Sequence, residues 1–373
     1  MLRAEVAVIG GGLAGASFAA RLADAGRAVL LIEREAGPHD KVCGEFLSRE
    51  AVLYLSALGI DLATLGAVPI GNLGIAAGGA SVLTRLPFQA KSLSRRVLDE
   101  AVLRRAAEAG AQVLRGNKVI GAAPSGEGMR LRLEDGTEVV ARTTVLATGK
   151  HDLRGHARPR GSQNDLIGFK MMFDLAPRQM AALGGRVELI LFAGGYAGLQ
   201  PVEGGRANLC LLARRDRFRA MGRSWTALLA AIAAETPALG ERLAGAAPAW
   251  DKPLTIAGLP YGLVVREPGA DGLWRLGDQA AVIPSFSGDG MSIALHSARL
   301  AASAYLAGQD VRAFQARLAA DVGAQVWRAT WLSRIFIHRQ PQRGLLAGAR
   351  LLPVALRLGA AMTRVPERRL AEG

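Results

Sequence analysis

The chain has 373 residues, half of them hydrophobic, and its 46 Lys and Arg against 32 Asp and Glu leave a formal net charge of +14. That length suits two domains, and the apolar content excludes a disordered chain. Two cysteines, Cys43 and Cys210, exclude a disulfide scaffold and are too few for an iron–sulfur cluster or structural zinc, so redox chemistry would need an organic cofactor and no metal is expected. The cations are mostly Arg spread along the chain, aromatics are 5%, and no RNA-binding or helix-turn-helix signature occurs. The charge therefore reads either as composition bias or as affinity for an anionic membrane surface, and nucleic acid is not an expected partner.

From Glu5 the pattern is strand (VAVIG), glycine turn, apolar helix over 14–25, Gly26 as a stop, and a second buried strand (AVLLIE) ending at Glu33. This predicts a βαβ unit. No targeting pattern precedes it, and the longest uncharged stretch, 62–84, holds Pro69, Asn72 and five glycines, so it reads as strands and turns rather than a membrane helix. A cytoplasmic chain is expected, with peripheral attachment to the inner membrane face as the variant. Residues 49–58 look helical and 71–89 look like short strands. An amphipathic helix over 96–109, closed by Gly110, leads into the strand AQVLRG. Residues 130–140 alternate as a hairpin around Asp135-Gly136, and TTVLATG, 143–149, reads as a strand ending in glycine.

Beyond Lys150 strands are expected at 169–174, 187–192, 198–201 and 207–213, with a helix over 225–234. The strand-like WRLGDQAAVIP then leads into a glycine turn and a long apolar helix, 288–306. The expected class is α/β: a discontinuous Rossmann-type domain from 1–70, 95–160 and 270–310, an inserted β-rich α+β substrate domain from 71–94 and 161–269, and a C-terminal helical segment, 311–373.

The first fingerprint is Gly10-x-Gly12-x-x-Gly15. Gly10 permits the tight turn, Gly12 lets phosphate approach the backbone, and Gly15 brings helix and strand close, so that pyrophosphate meets the helix N-terminus beside Leu13 and Ala14. Glu33, followed by Arg34, stands where an acid accepts from ribose hydroxyls. Strand, glycines, helix and acid together predict dinucleotide binding.

The second glycine-rich segment comes late: Gly277-Asp278, then Pro284-Ser-Phe-Ser-Gly288-Asp-Gly290-Met291 ahead of an apolar helix. A helix N-terminus here offers N–H donors to a bound anionic group. These residues resemble the FAD oxidoreductases with the p-hydroxybenzoate hydroxylase type of fold, and most of all the geranylgeranyl reductase group. The resemblance implies bound FAD, with Asp278 on the ribityl chain and Pro284, Gly288, Gly290 and Met291 bordering the isoalloxazine. It also implies that Arg95, in Ser94-Arg95-Arg96-Val97-Leu98-Asp99, reaches the cofactor, where the alternative is a surface i, i+4 pair with Asp99. The turn Ala147-Thr148-Gly149 resembles the family's turn near the adenosine.

Lys41-Val42-Cys43-Gly44-Glu45 resembles the Cys-Gly loop that geranylgeranyl reductases place beside the flavin. A thiol there would protonate a substrate carbon opposite hydride delivery; the alternative is a small buried residue. Cys210, in ANLCLLA, reads as core. Some features depart from relatives of the same fold: Val282 stands where aromatic hydroxylases have His, their Asp-Gly motif after the adenosine strand is replaced by Lys150-His151-Asp152, and the Trp-x-Trp-x-Ile-Pro segment of flavin halogenases is missing. His151 and Asp152 read as a solvated loop.

At the C-terminus Arg343, Arg350, Arg357 and Arg364 recur every seven residues beside Leu345, Leu346, Leu351, Leu352, Leu356 and Leu358, with Pro353 as a kink. A basic stripe over 343–364 either lies in a membrane interface or packs on the protein with its Arg outward. The expected function is an FAD-dependent oxidoreductase of a hydrophobic small molecule, transferring hydride to an unsaturated bond as geranylgeranyl reductases do. NAD(P)H would serve as a transient donor, because no second dinucleotide fingerprint occurs. A monooxygenase of an aromatic or polyketide substrate and a membrane-surface electron-transfer flavoprotein are the alternatives.

Overall fold

The computed structural model describes residues 1–126, 128–269, 271–338, 340, 342 and 344. The chain opens with β1 (Leu2–Ile9), α1 (Leu13–Asp24) and β2 (Val29–Glu33). β2 is buried throughout, as a parallel strand covered on both faces must be. It pairs in parallel with β1, Val6 opposite Val29 through Ile9 opposite Ile32. Gln112–Arg115 joins β2, and Glu138–Leu146 joins the other side of β1, both parallel. Gly128–Leu133 and Val119–Ser125 add antiparallel strands at that edge.

One face of this sheet is covered by α1 and the helices Arg95–Glu108 and Gly290–Leu306, with Phe18, Leu22, Leu98, Val102 and Leu295 in the shared core. The alanine-rich sequence of α1 lets its neighbours approach closely. On the other face Ile9 and Ile32 pack in one cluster with Met129, Leu131 and Leu133.

A second, mostly antiparallel sheet is built from Phe46–Leu47, Val68–Ala77, Ala80–Ser92 and the strands between residues 166 and 257. Phe169, Phe192, Leu228 and Ile232 share a core in which the helix Trp225–Glu235 covers one of its faces. A separate cluster joins Ile75, Leu191, Tyr196 and Leu212 to Tyr261, Leu263 and Val282.

Most of the expected elements are present within a few residues of their predicted ends. Two differ. The second hairpin arm and TTVLATG are one strand, Glu138–Leu146, which pairs antiparallel with Gly128–Leu133 and parallel with β1, so both predicted segments are ladder in a single run. The segment WRLGDQAAVIP is strand only at Trp274–Arg275; Gly277, at φ +56, turns the chain off the sheet edge into a short 3-10 turn, Gly277–Gln279.

The helix Val311–Phe336 is N-capped by Asp310, whose Oδ1 accepts from Ala313 N at 2.8 Å, and it buries Phe314, Leu318, Val322 and Val326. The arginine stripe at 343, 350, 357 and 364 and the leucines beside it lie outside the described residues. Among the described residues no helix is long and apolar enough to cross a membrane.

Candidate active site

A cavity of about 530 Å³ lies between the two sheets. The first glycine turn forms one end. Gly10 has φ +106, and a Cβ there would stand 2.5 Å from Ala147 O, so the backbone of β1 and the Ala147-Thr148-Gly149 turn meet without room for a side chain. Gly12 is the N-cap of α1 and has no side-chain cap, so the first N–H groups of the helix point out unsatisfied by capping. A Cβ at Gly12 would lie 3.4 Å from Lys41 Nζ and 3.6 Å from Arg95. A helix N-terminus facing two cations is a cradle for a pyrophosphate.

Glu33 is buried; Gly11 N donates to its Oε2 at 2.6 Å and Glu35 N to its Oε1 at 3.0 Å, which fixes its carboxylate at the end of β2. Cations crowd the neighbouring wall. Burial first, then Arg34, Arg158, Lys150 and Lys41, push His151 below its ordinary value, so its ring is neutral at pH 7 in a field that favours anions.

The late glycine segment forms the opposite end. Gly277 packs against α1, its would-be Cβ 3.1 Å from that of Ala14, and Gly288, at φ +74, abuts the Phe46 ring, where a Cβ would stand only 2.6 Å from the ring edge. Asp289 is buried beneath the start of Gly290–Leu306. The two glycine turns thus present two helix N-termini to one space.

Of the residues expected at the site, Gly10, Gly12, Leu13, Ala14, Glu33 and Arg34 line this cavity, as do Cys43, Gly44, Arg95, Thr148 and Gly149 and the late group Gly277, Asp278, Gly288, Gly290 and Met291. Two stand outside the lining. Gly15 is pressed against Gly10 O, and Pro284 caps the short 3-10 turn Ser285–Ser287. From the second sheet side come Leu254, Ile256, Leu259, Tyr261 and Val282, an apolar wall.

The loop carrying Cys43 is pinned from several directions. Asn208 Nδ2 donates to Cys43 O at 3.1 Å and to Gly44 O at 3.0 Å, Lys150 donates to Val42 O, and Glu45 N donates to Cys43 Sγ at 3.4 Å. Arg95 bridges the loop to the first glycine turn: it binds Asp99 at 2.7 and 2.9 Å, its side chain also contacts that of Cys43, and it lies 3.6 Å from where a Cβ on Gly12 would stand. Burial opposes the charge on Asp99, yet Arg95 and Lys41, the latter at 2.8 Å, outweigh it and hold the carboxyl below its ordinary range. The Arg95–Asp99 pair is therefore not the surface pair that i, i+4 spacing allows, since Asp99 is buried.

Sequence reasoning passed over the group beneath this loop. Lys170, fully buried in the strand Leu166–Asp174, donates to Asp40 at 3.1 Å and to Glu45. Glu45 Oε1 also accepts from Arg95 N at 3.0 Å, while its buried Oε2 has no hydrogen-bond partner among the described residues. Burial pushes the Glu45 carboxyl up to about 7 although Lys170 opposes the shift. One signal was available: a lysine interrupting the apolar run LIGFKMMF.

Two nucleotide-type glycine turns facing one cavity, with an apolar wall between the sheets, define a flavin-dependent oxidoreductase. A family model described as the FAD binding domain matches residues 3–203, more than half of the chain, and the chain belongs to that family. FAD is its cofactor. Among curated proteins it is similar to menaquinone reductase of Mycolicibacterium smegmatis, 27% identical over 326 residues that cover 82% of this chain and 77% of the relative. It is equally similar to menaquinone reductase of Mycobacterium tuberculosis, 27% identical over 318 residues, 80% of this chain and 76% of the relative. Solved structures with the same fold include the myxobacterial chondrochloren halogenase CndH, with TM-score 0.76, 21% identity and coverage of 96% of this chain and 91% of that one. A probable FAD-dependent monooxygenase, pqsL of Pseudomonas aeruginosa, has TM-score 0.71, 19% identity and coverage of 92% and 100%.

Proposed function

We propose that the protein reduces a carbon–carbon double bond in the prenyl chain of a lipid quinone. The observation that carries this reading is a cysteine thiol on the wall of the cavity, held there by hydrogen bonds to its loop from Asn208, in a space whose other wall is apolar. Likeness to menaquinone reductases over four-fifths of the chain supports it.

In this reading Gly12, Leu13 and Ala14 offer backbone to the pyrophosphate, Lys41 and Arg95 balance its charge, and Glu33 with Arg34 meets the adenosine end. Thr148 and Gly149 flank that end. Asp278, after the turn at Gly277, faces the ribityl chain, and Gly288, Gly290 and Met291 border the ring. Gly15 and Pro284 serve by shaping the two turns. When bound and reduced, by NAD(P)H or another two-electron donor, FAD supplies hydride to one carbon of the double bond. The second carbon needs a proton, which Cys43 holds at Sγ. After proton loss the sulfur faces the Arg95 guanidinium, so the new charge has a cation in contact. Leu254, Ile256, Leu259 and Val282 bind the prenyl chain and exclude water.

The test is Cys43→Ser, followed as two half-reactions by stopped flow. The variant should take up FAD and be reduced by donor as wild type, yet be reoxidised by a detergent-dispersed prenyl quinone roughly a hundredfold or more slowly, the usual range for losing a general acid. Unaltered reoxidation by that quinone in a fully flavinylated variant would end the proposal. Reoxidation by O2 with formation of hydroxylated product would assign a monooxygenase instead.

A further inference from the structure

The long helix Val311–Phe336 leaves its outer face bare where a soluble protein normally hides aromatic area. Trp327 is 69% exposed and Trp331 54% exposed, and they lie one turn apart. Trp at this exposure is uncommon, because its large apolar ring gains most from leaving water. Arg334 follows on the same face, seven residues or about 10 Å beyond Trp327.

Arg334 also lines a broad groove of about 750 Å³ with Arg214, Arg215 and Arg219. Asp165 and Asp216 face these four arginines, which leaves two positive charges in excess. Arg214 takes up both aspartates, at 3.8 and 2.7 Å, whereas Arg215 and Arg219 are exposed and form no salt bridge among the described residues. At the inner wall Gln163 is 5% exposed and neither polar atom of its side chain has a hydrogen-bond partner among the described residues. Gln163 pairs through its backbone with Tyr261, and Tyr261 lines the active-site cavity, so groove and cavity share a wall.

We infer that this face, Trp327 and Trp331 together with the Arg215–Arg219–Arg334 groove, docks the protein on an anionic phospholipid surface. Indole rings settle at the boundary of headgroup and acyl chain, and arginines beside them bind lipid phosphate. Charge complementarity selects lipid over a second copy of the chain, since two such faces would oppose arginine to arginine. A protein that docks this way keeps the wall of its active site near the membrane. The inference stands on these side chains and not on the substrate, so vesicles without quinone test it separately from the proposed reaction.

The experiment uses full-length protein with FAD bound and vesicles of phosphatidylcholine, alone or mixed with phosphatidylglycerol. Wild type should sediment with the mixed vesicles, less so as salt rises, and not with phosphatidylcholine alone. Arg215→Gln with Arg219→Gln should lower binding roughly twenty-five-fold, about fivefold per cation removed. The difference in emission between wild type and a Trp327→Phe, Trp331→Phe variant reports these two indoles alone; it should have the red maximum of hydrated Trp in buffer and shift to the blue on mixed vesicles. FAD content and melting temperature of both variants serve as controls on folding. The inference is overturned if either variant binds as wild type does, which would place docking on other residues. It is equally overturned if the difference emission ignores vesicles, or is already blue in buffer because the chain's own residues or a second copy cover the face.

Discussion

Replacing Lys170 with methionine is expected to cost about 3–5 kcal/mol of folding stability, the usual result of removing one partner from a buried ion pair. Lys170 is fully buried between Asp40 and Glu45, and Glu45 is also fully buried with one oxygen already unpartnered. Against a total of roughly 5–15 kcal/mol this is a large fraction. The loss should depend on pH with a definite sign. The Glu45 carboxyl stands at about 7 in the folded protein because burial penalises its charge, above its value of about 4.3 in an unfolded chain. Its contribution to stability is therefore full below the unfolded value and is lost as pH rises to about 7, on the order of 3 kcal/mol. Without Lys170 the carboxyl rises further and the window extends upward, so Lys170→Met should be weakest near pH 8 and partly recovered near pH 6. Urea melts of wild type, Lys170→Met and Glu45→Gln across this range decide it. The advantage of Glu45→Gln over wild type should grow between about pH 4.5 and 7 and then level; a constant difference would show that Glu45 does not titrate there.

That cluster also marks the limit of what the sequence reveals. The unit of β1, α1 and β2 was legible because everything it needs is local: two short continuous apolar runs, three glycines at fixed offsets, and an acid at the end of the second strand. The late glycine turn was legible for the same reason, and both turns line the cavity. The support beneath the Cys43 loop is not local. Glu45 and Lys170 are separated by 125 residues and belong to segments far apart in the second sheet, since Phe46–Leu47 forms one edge and Leu166–Asp174 lies next to the opposite edge. Sheet order over that distance leaves no periodic trace. Glu45 adopts φ +61, a backbone conformation that a turn glycine would advertise and a glutamate conceals. Trp274–Arg275 was overextended as a strand because apolar alternation continued through AAVI, residues that pack as buried turn and bridge rather than ladder.

The second and third glycines of the first fingerprint, Gly12 and Gly15, should fail in different ways when given side chains. At Gly15 a Cβ would stand 2.0 Å from Gly10 O and 3.1 Å from both Ala147 and Val8. Two of these three groups, Gly10 O and Val8, are backbone or strand core, so Gly15→Ala must push α1 off β1, and the expected result is little folded protein and no yellow colour. At Gly12 the nearest atoms are the ends of Lys41, Arg95 and Asp99 side chains, at 3.4 to 3.8 Å, and the backbone, at φ −73 and ψ −176, suits a branched residue. Gly12→Val should therefore fold, with its circular dichroism and apoprotein melting close to wild type. It should nevertheless bind FAD at least roughly a hundredfold more weakly, because the isopropyl group takes the space beside the helix N-terminus and costs one or two charge-assisted hydrogen bonds of about 1.5–3 kcal/mol each. Flavin content after purification and titration of apoprotein with FAD measure this directly. A Gly12→Val protein that purified with one FAD per chain would move the pyrophosphate away from Gly12, Lys41 and Arg95, and the assignment of that end of the cavity would fall with it.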